Sequence, residues 1–198
     1  MMIETLTALA TFAFVSSVTP GPNNLMLMAS GANYGFARSV PHMLGIAIGF
    51  TLMIVLVGAG LVQLFDAWPL SYTILKVLSV AYMTWLAWKI ARAAPAAKAQ
   101  ATGTPLTFVQ AAAFQWVNPK AWAMALTALS VYATNASLTA FALVALVFGL
   151  VNLPSIALWT VMGQQMARFL TNPVRLRAFN WTMAALLIAS LYPVLWPS

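Results

Sequence analysis

Lys120 carries the most reactive group in an otherwise inert stretch. It is the thirteenth residue of an apolar segment running from Phe108 to Tyr132. That places it near the centre of a bilayer if the segment crosses one, too deep for its stem to reach the headgroups. An ionised lysine at such a depth costs about 2.5–3.5 kcal/mol, so a role and a partner are expected for it. Asn118 beside it and Gln115 one turn earlier are candidate hydrogen-bond partners. Three roles fit: holding the carboxylate of a solute, exchanging a proton, or tying down backbone carbonyls freed elsewhere in the fold.

Such carbonyls are expected near the other end of the chain. Thr19-Pro20-Gly21-Pro22-Asn23-Asn24 interrupts a second apolar segment. Pro20 and Pro22 each lack a backbone donor, and Gly21 between them permits dihedrals other residues avoid. A helix entering this stretch should break and restart. Its freed carbonyls and N–H groups can meet a zwitterion, as helix ends do. Asn23 and Asn24 add side-chain donors and acceptors at the same depth. The competing reading is a kink packed against neighbouring helices with no solute contact. Pro119 follows Pro20 by 99 positions in a chain of 198. Paired interruptions in the two halves of a lipid-embedded protein point to a transport site, because unwound backbone survives there only where it is buried or lines a polar cavity.

Other polar residues are weaker candidates. Lys76 sits one to two turns from the end of its segment, where it serves equally well as a binding residue or a snorkelling anchor. His42, beside Pro41, reads as an interfacial hydrogen-bonding residue, with a proton relay as the alternative. Gly45 and Gly49 form a small-xxx-small pattern that favours close helix packing. Asn152 and Pro154 suggest a further local break.

The composition sets the class. Of all residues 63% are hydrophobic and only 6% charged, with a mean hydropathy of +0.90. Soluble domains carry about 25% charged residues, so this chain is read as a membrane protein whose main partner is the lipid bilayer. The net charge of +7 comes from scattered single residues, which excludes a nucleic-acid-tracking patch. With no cysteine, a single histidine and two acids, Glu4 and Asp66, the sequence offers no thiolate or histidine metal cluster and no paired carboxylates. No Gly-rich phosphate loop is present. No cofactor and no enzymatic activity are expected. The leader Met1-Met2-Ile3-Glu4 carries an acid where a secretory signal needs basic residues.

Six segments are long enough to span a bilayer: Leu6–Met28, Met43–Phe65, Leu70–Ala91, Phe108–Tyr132, Leu138–Met162 and Ala178–Trp196. Arg38, Lys89, Arg92, Lys98, Arg168, Arg175 and Arg177 fall on the odd connections, seven of the nine basic residues. The positive-inside rule then puts those connections in the cytoplasm and both termini outside. Trp68, Tyr72, Tyr132, Tyr192 and Trp196 fall at outer ends, and Trp85, Trp88 and Trp181 at inner ones. The fold expected is an all-α polytopic membrane protein, one membrane domain over 1–198. An Ala/Pro/Thr-rich cytoplasmic linker (93–105) separates two three-helix units, 1–92 and 106–198. Units of three helices must be inverted relative to each other. Phe14 and Phe114, and Gly49 and Gly149, are each 100 apart, which agrees with an inverted repeat. A homo-oligomer is compatible with this pattern.

The chain resembles the LysE/RhtB superfamily of bacterial amino-acid exporters. The resemblance is carried by Thr19-Pro-Gly-Pro-Asn-Asn-Leu25, Gly35-Phe36, Gly45, Gly49-Phe50, Leu75-Lys76, Ala81-Tyr82, Trp85-Leu86-Ala87 and Asn118-Pro119-Lys120. Ser79 departs from the pattern, standing where the third helix of the family commonly has glycine. The stretches Tyr82–Ala91 and Thr127–Ser130 are similar to the cysteine/O-acetylserine exporter branch. The resemblance implies export of small amino acids or their derivatives across the bacterial inner membrane, driven by the proton gradient. The two breaks and the embedded polar groups place the substrate among Pro20, Gly21, Pro22, Asn23, Asn24, Lys76, Gln115, Asn118, Pro119 and Lys120. A passive channel or facilitator for small polar metabolites is the alternative, but it needs a continuous polar lining. The polar residues instead gather at mid-segment. A purely structural scaffold leaves Lys120 without a use.

Overall fold

The computed structural model describes residues 2–93 and 104–195. All regular structure among them is helical. The elements are α1 (Met2–Val18), α2 (Pro22–Tyr34), α3 (Phe36–Leu56), α4 (Val62–Ala67), α5 (Leu70–Ala91), α6 (Phe108–Phe114), α7 (Pro119–Tyr132), α8 (Leu138–Met166), α9 (Pro173–Ala189) and α10 (Tyr192–Leu195). A π turn at Val57–Leu61 joins α3 to α4, and a 3₁₀ turn at Gln115–Val117 follows α6.

Local chemistry explains the starts. Thr107 and Gln110 form a reciprocal capping box at α6. Ser137 caps α8 and Asn172 caps α9, the latter with Pro173 in the first helical position. Between α2 and α3 the chain turns at Gly35, whose φ of 79° lies in the left-handed region glycine alone enters freely.

Three helices are long and apolar enough to cross a membrane: Phe36–Leu61, Leu70–Ala91 and Leu138–Met166. A fourth crossing is open to α1 and α2 together, bent by 55° at their break. Of the six segments read from the sequence, Leu70–Ala91 keeps its limits. Phe108–Tyr132 also keeps its limits, but is split by a break at Asn118. Leu6–Met28 is split as well and runs on to Tyr34. The second segment starts at Phe36, seven residues before Met43, because Ser39 and His42 are turned into the protein, where their polarity does not end the helix. The last starts at Pro173, not Ala178. No break occurs at Pro154: α8 passes through it unbroken. Most of the linker expected at 93–105, with Lys98, lies outside the described residues, as does Trp196.

The interior is largely apolar, with Ile46, Phe50, Phe114 and Phe148 at its centre, yet the surface is apolar as well. Large apolar side chains such as Ile48, Val77, Leu146 and Leu150 face outward, while Asn24, Asn33, Gln115, Asn118, Asn152, Thr160 and Asn180 are buried. Hydrocarbon around the molecule accounts for both halves of that pattern. Close helix contacts hold the polar interior together. Gly31 of α2 lies against the carbonyl oxygen of Thr160, and Gly163 of α8 against that of Met28, each with no room for a Cβ. Gly45 and Gly49 press α3 onto Phe108, Ala111 and Ala112 of α6, the close packing their spacing suggested. Further contacts pair α3 with α8, α1 with α8, and α5 with α9. Ser79 fills its buried place in α5 by bonding the Leu75 carbonyl at 2.8 Å.

Candidate functional site

The break between α1 and α2 leaves carbonyls without helical partners, and those of Ser17, Val18, Thr19 and Pro20 find donors elsewhere. Asn24 donates its amide to the Ser17 carbonyl at 2.9 Å and to that of Thr19 at 2.8 Å. The Trp159 indole donates to Val18 at 3.1 Å. Lys120 Nζ donates to the Thr19 carbonyl at 2.5 Å, with that of Pro20 at 3.4 Å. Thr19 and Pro20 reach the molecular surface beside the cavity, whereas Gly21, Pro22 and Asn24 are buried. Gly21 is fully extended, a conformation open to any residue. Its missing side chain matters because a Cβ there would come within 2.6 Å of Lys120 Cδ.

The second break is held differently. Asn118 accepts the Lys120 backbone N–H at 3.1 Å and so caps α7, with Pro119 next in line. Gln115, fully buried, donates to the Ala111 carbonyl at 2.9 Å. It also exchanges hydrogen bonds with Asn23, at 2.9 Å and 3.3 Å. The two interruptions are thus joined side chain to side chain by residues 92 apart in sequence.

Between them lies a cavity of ≈ 30 Å³ lined by Ser17, Gly21, Asn23, Asn24, Gln115, Asn118 and Lys120, with Asn152 contributed by α8. Phe50, Met124 and Ile156 supply its apolar wall. That volume holds a water or two, so an amino acid enters only if the walls move apart. The arrangement offers one cation, several amides and a set of backbone acceptors, which suits a small zwitterion. Among the described residues no group of three His, Cys, Asp or Glu side chains could hold a metal ion.

Of the ten residues read from the sequence, seven line this cavity or shape it directly: Gly21, Asn23, Asn24, Gln115, Asn118, Lys120 and, through its carbonyl, Pro20. Pro22 and Pro119 start the helices that follow each break. Lys76 stands apart, exposed on α5 and outside the lining of this cavity. Gln115 and Asn118 do not bond the Lys120 ammonium as expected. Gln115 is committed to Asn23, Asn118 to capping, and the ammonium goes to carbonyls of the other break. His42 does not make the hydrogen bond expected of it: it is 1% exposed, and neither ring nitrogen has a partner. Ser17 was missed. Its hydroxyl is buried without a partner at the cavity, and the signal for it was its place just ahead of the Pro-Gly-Pro run.

The sequence profile of the family described as LysE type translocator matches residues 14–191, both interruptions included. The chain belongs to that family. A cysteine/O-acetylserine efflux protein of Klebsiella pneumoniae is 30% identical to this translocator over 194 residues, covering 92% of this chain and 93% of that one. Proteins of the same name from Escherichia coli O139:H28 and Salmonella choleraesuis are 32% and 33% identical over 127 residues, covering 64% of this chain and 65% of theirs. No solved structure matches. The translocator is therefore a multi-pass, all-helical membrane protein.

Proposed function

We propose that this translocator exports small amino acids or their derivatives, of the cysteine and O-acetylserine class, from the bacterial cytoplasm across the inner membrane in exchange for protons. The observation that carries this reading is the Lys120 ammonium resting on the Thr19 and Pro20 carbonyls at the edge of a polar cavity. A zwitterion has one group for each side of that contact. Its carboxylate takes the Lys120 ammonium, and its own ammonium takes the carbonyls that Lys120 releases. The internal bond is replaced at both ends, so the empty site is stable and the loaded site loses nothing.

In this reading the chain makes six crossings as two inverted three-helix units, 1–92 and 106–198, with both termini outside. Two observations support it. Corresponding helices of the two units pack on each other, α3 on α8 and α5 on α9, and α1 meets α8 as α6 meets α3. Arg38, Lys89 and Arg92 each lie over an aromatic ring, Tyr34, Trp85 and Trp88 respectively, as basic residues at a headgroup layer do. The cavity then sits near the bilayer midplane between the units, and rocking of one against the other opens it to each side in turn. Lys76 serves as an anchor at the outer end of α5.

The test is reconstitution into liposomes with a panel of labelled amino acids, with and without an imposed pH gradient. Saturable flux with counterflow, accelerated by the gradient, is expected for L-cysteine or O-acetylserine. Flux linear in concentration and without counterflow would indicate a channel instead.

A further inference from the structure

A second cavity, of ≈ 40 Å³, lies at the other end of α2, between the start of α3, the last turns of α5 and residues 104–106. His42 lines it with both ring nitrogens buried and unpartnered. A buried polar atom without a partner is costly, so two on one ring call for a guest. The neighbouring polar groups are already committed. Ser30 is bonded to Ser39 at 2.7 Å, and Ser39 to the Gly35 carbonyl at 2.8 Å. Asn33 and Asn180 exchange bonds at 2.8 Å and 3.1 Å, and Asn180 also holds the Ala93 carbonyl at 3.0 Å. That leaves His42, the Tyr34 and Thr104 hydroxyls and the Lys89 ammonium, which lies 5.3 Å from the centroid of the Trp85 ring.

The charge of the guest follows from the sequence. The only acids in the chain are Glu4 and Asp66, in α1 and α4, and neither lines this cavity. A proton added to His42 would face the Lys89 cation with no carboxylate to offset it, so the site suits a negative group better than a proton. Neutral imidazole donates through one nitrogen and accepts through the other. A guest that brings both an anion and a donor satisfies both, and an amino acid does.

The geometry points to a capture site here, opened as its walls part like the first cavity, in which His42, Lys89 and Tyr34 hold the carboxylate of a small amino acid before it reaches Lys120. This rests on the exporter reading above, which puts the Lys89 end of α5 in the cytoplasm. Helix α2 connects the two cavities. Gly21, Asn23 and Asn24 line one; Met26, Ala29, Ser30 and Asn33 line the other. From Asn23 to Ser30 is seven residues, about 10 Å along a helix.

The experiment measures uptake of labelled L-cysteine, kept reduced, into inside-out membrane vesicles. His42→Phe and Lys89→Met should each raise the half-saturating concentration, by about tenfold for His42→Phe and threefold or more for Lys89→Met, with the maximal rate within a factor of two. Lys120→Met protein in nanodiscs should still bind the label at the remaining site. There 3-mercaptopropionate, which keeps the carboxylate, should compete, and cysteamine, which lacks it, should not. An unchanged half-saturating concentration in both variants, or competition by cysteamine alone, would overturn the capture site while leaving the exporter reading standing. Should wild-type vesicles take up no amino acid of the panel, both fall. If His42→Phe does not accumulate in the membrane, the Lys89→Met kinetics and the competition assay decide alone.

Discussion

The two interruptions of the translocator sit side by side yet are built from opposite chemistry. The first, at Thr19–Gly21, has no side-chain cap and leaves carbonyls pointing away from a helix end. Its neighbours satisfy these from outside: Asn24, Trp159 and Lys120. The second, at Asn118, closes on itself through its own cap and the Gln115 bond to Ala111. It therefore has a cation to spare. One break supplies acceptors and the other supplies the ammonium group. A proline-broken helix alone would be a kink, and a half-buried lysine alone would be a liability. Together they form a site whose resting contact a zwitterion can replace.

The contrast can be broken most severely at the cation. Lys120→Ala should lower transport by roughly a hundredfold, the scale of a lost charge-assisted contact, while membrane abundance stays near wild type. Transport by that variant at the normal rate would remove the carboxylate anchor. Crowding the contact instead of deleting it is the next test. Gly21→Ala puts a Cβ 2.6 Å from Lys120 Cδ on backbone that tolerates alanine. Flux should drop about tenfold with little change in thermal stability; if Tm falls instead and flux holds, the glycine serves packing. Restoring a donor at the first break is milder. Pro20→Ala should impair transport several-fold and leave stability unchanged or improved, as read from export rate against melting temperature. The smallest effect on flux is expected at the amide link. Asn23→Leu leaves Gln115 short of a partner and should cost about 1–3 kcal/mol of stability, most of which the double variant Asn23→Leu/Gln115→Leu recovers. Additive losses in the double variant would show that the pair does not act as a unit.

How much of this was legible in the sequence depends on the physics involved. Both breaks were, because Pro-Gly-Pro and Asn-Pro leave a helix few alternatives. Segments Leu70–Ala91 and Phe108–Tyr132 were found at their true limits, since an apolar run between polar flanks marks its own ends. The start of α3 was misplaced because Arg38, Ser39 and His42 look like a headgroup layer when averaged along the chain. The averaging cannot see that Ser39 and His42 share a buried face. The same blindness to faces hid the partner of Lys120. Proximity in sequence favoured Gln115 and Asn118, but local capping claimed one and a cross-chain amide pair the other. Pro154 suggested a break, yet α8 absorbs it without one. Ser16 and Ser17 both line the cavity beside the Pro-Gly-Pro run, but nothing in a linear pattern says that Ser16 bonds back to the Phe12 carbonyl while the Ser17 hydroxyl is left without a partner.

The pairing of a movable ammonium with the opened carbonyls can be tested by chemical rescue, because the chain has no cysteine of its own. Lys120→Cys carries a single thiol, and 2-bromoethylamine converts that thiol to an ammonium-bearing side chain of nearly lysine's length. After removal of the reagent and confirmation of the added mass, proteoliposomes should regain most of the wild-type amino-acid counterflow, while iodoacetamide, which adds a neutral group, restores none. Counterflow in the untreated Lys120→Cys protein equal to wild type, or equal rescue by both reagents, would contradict the account.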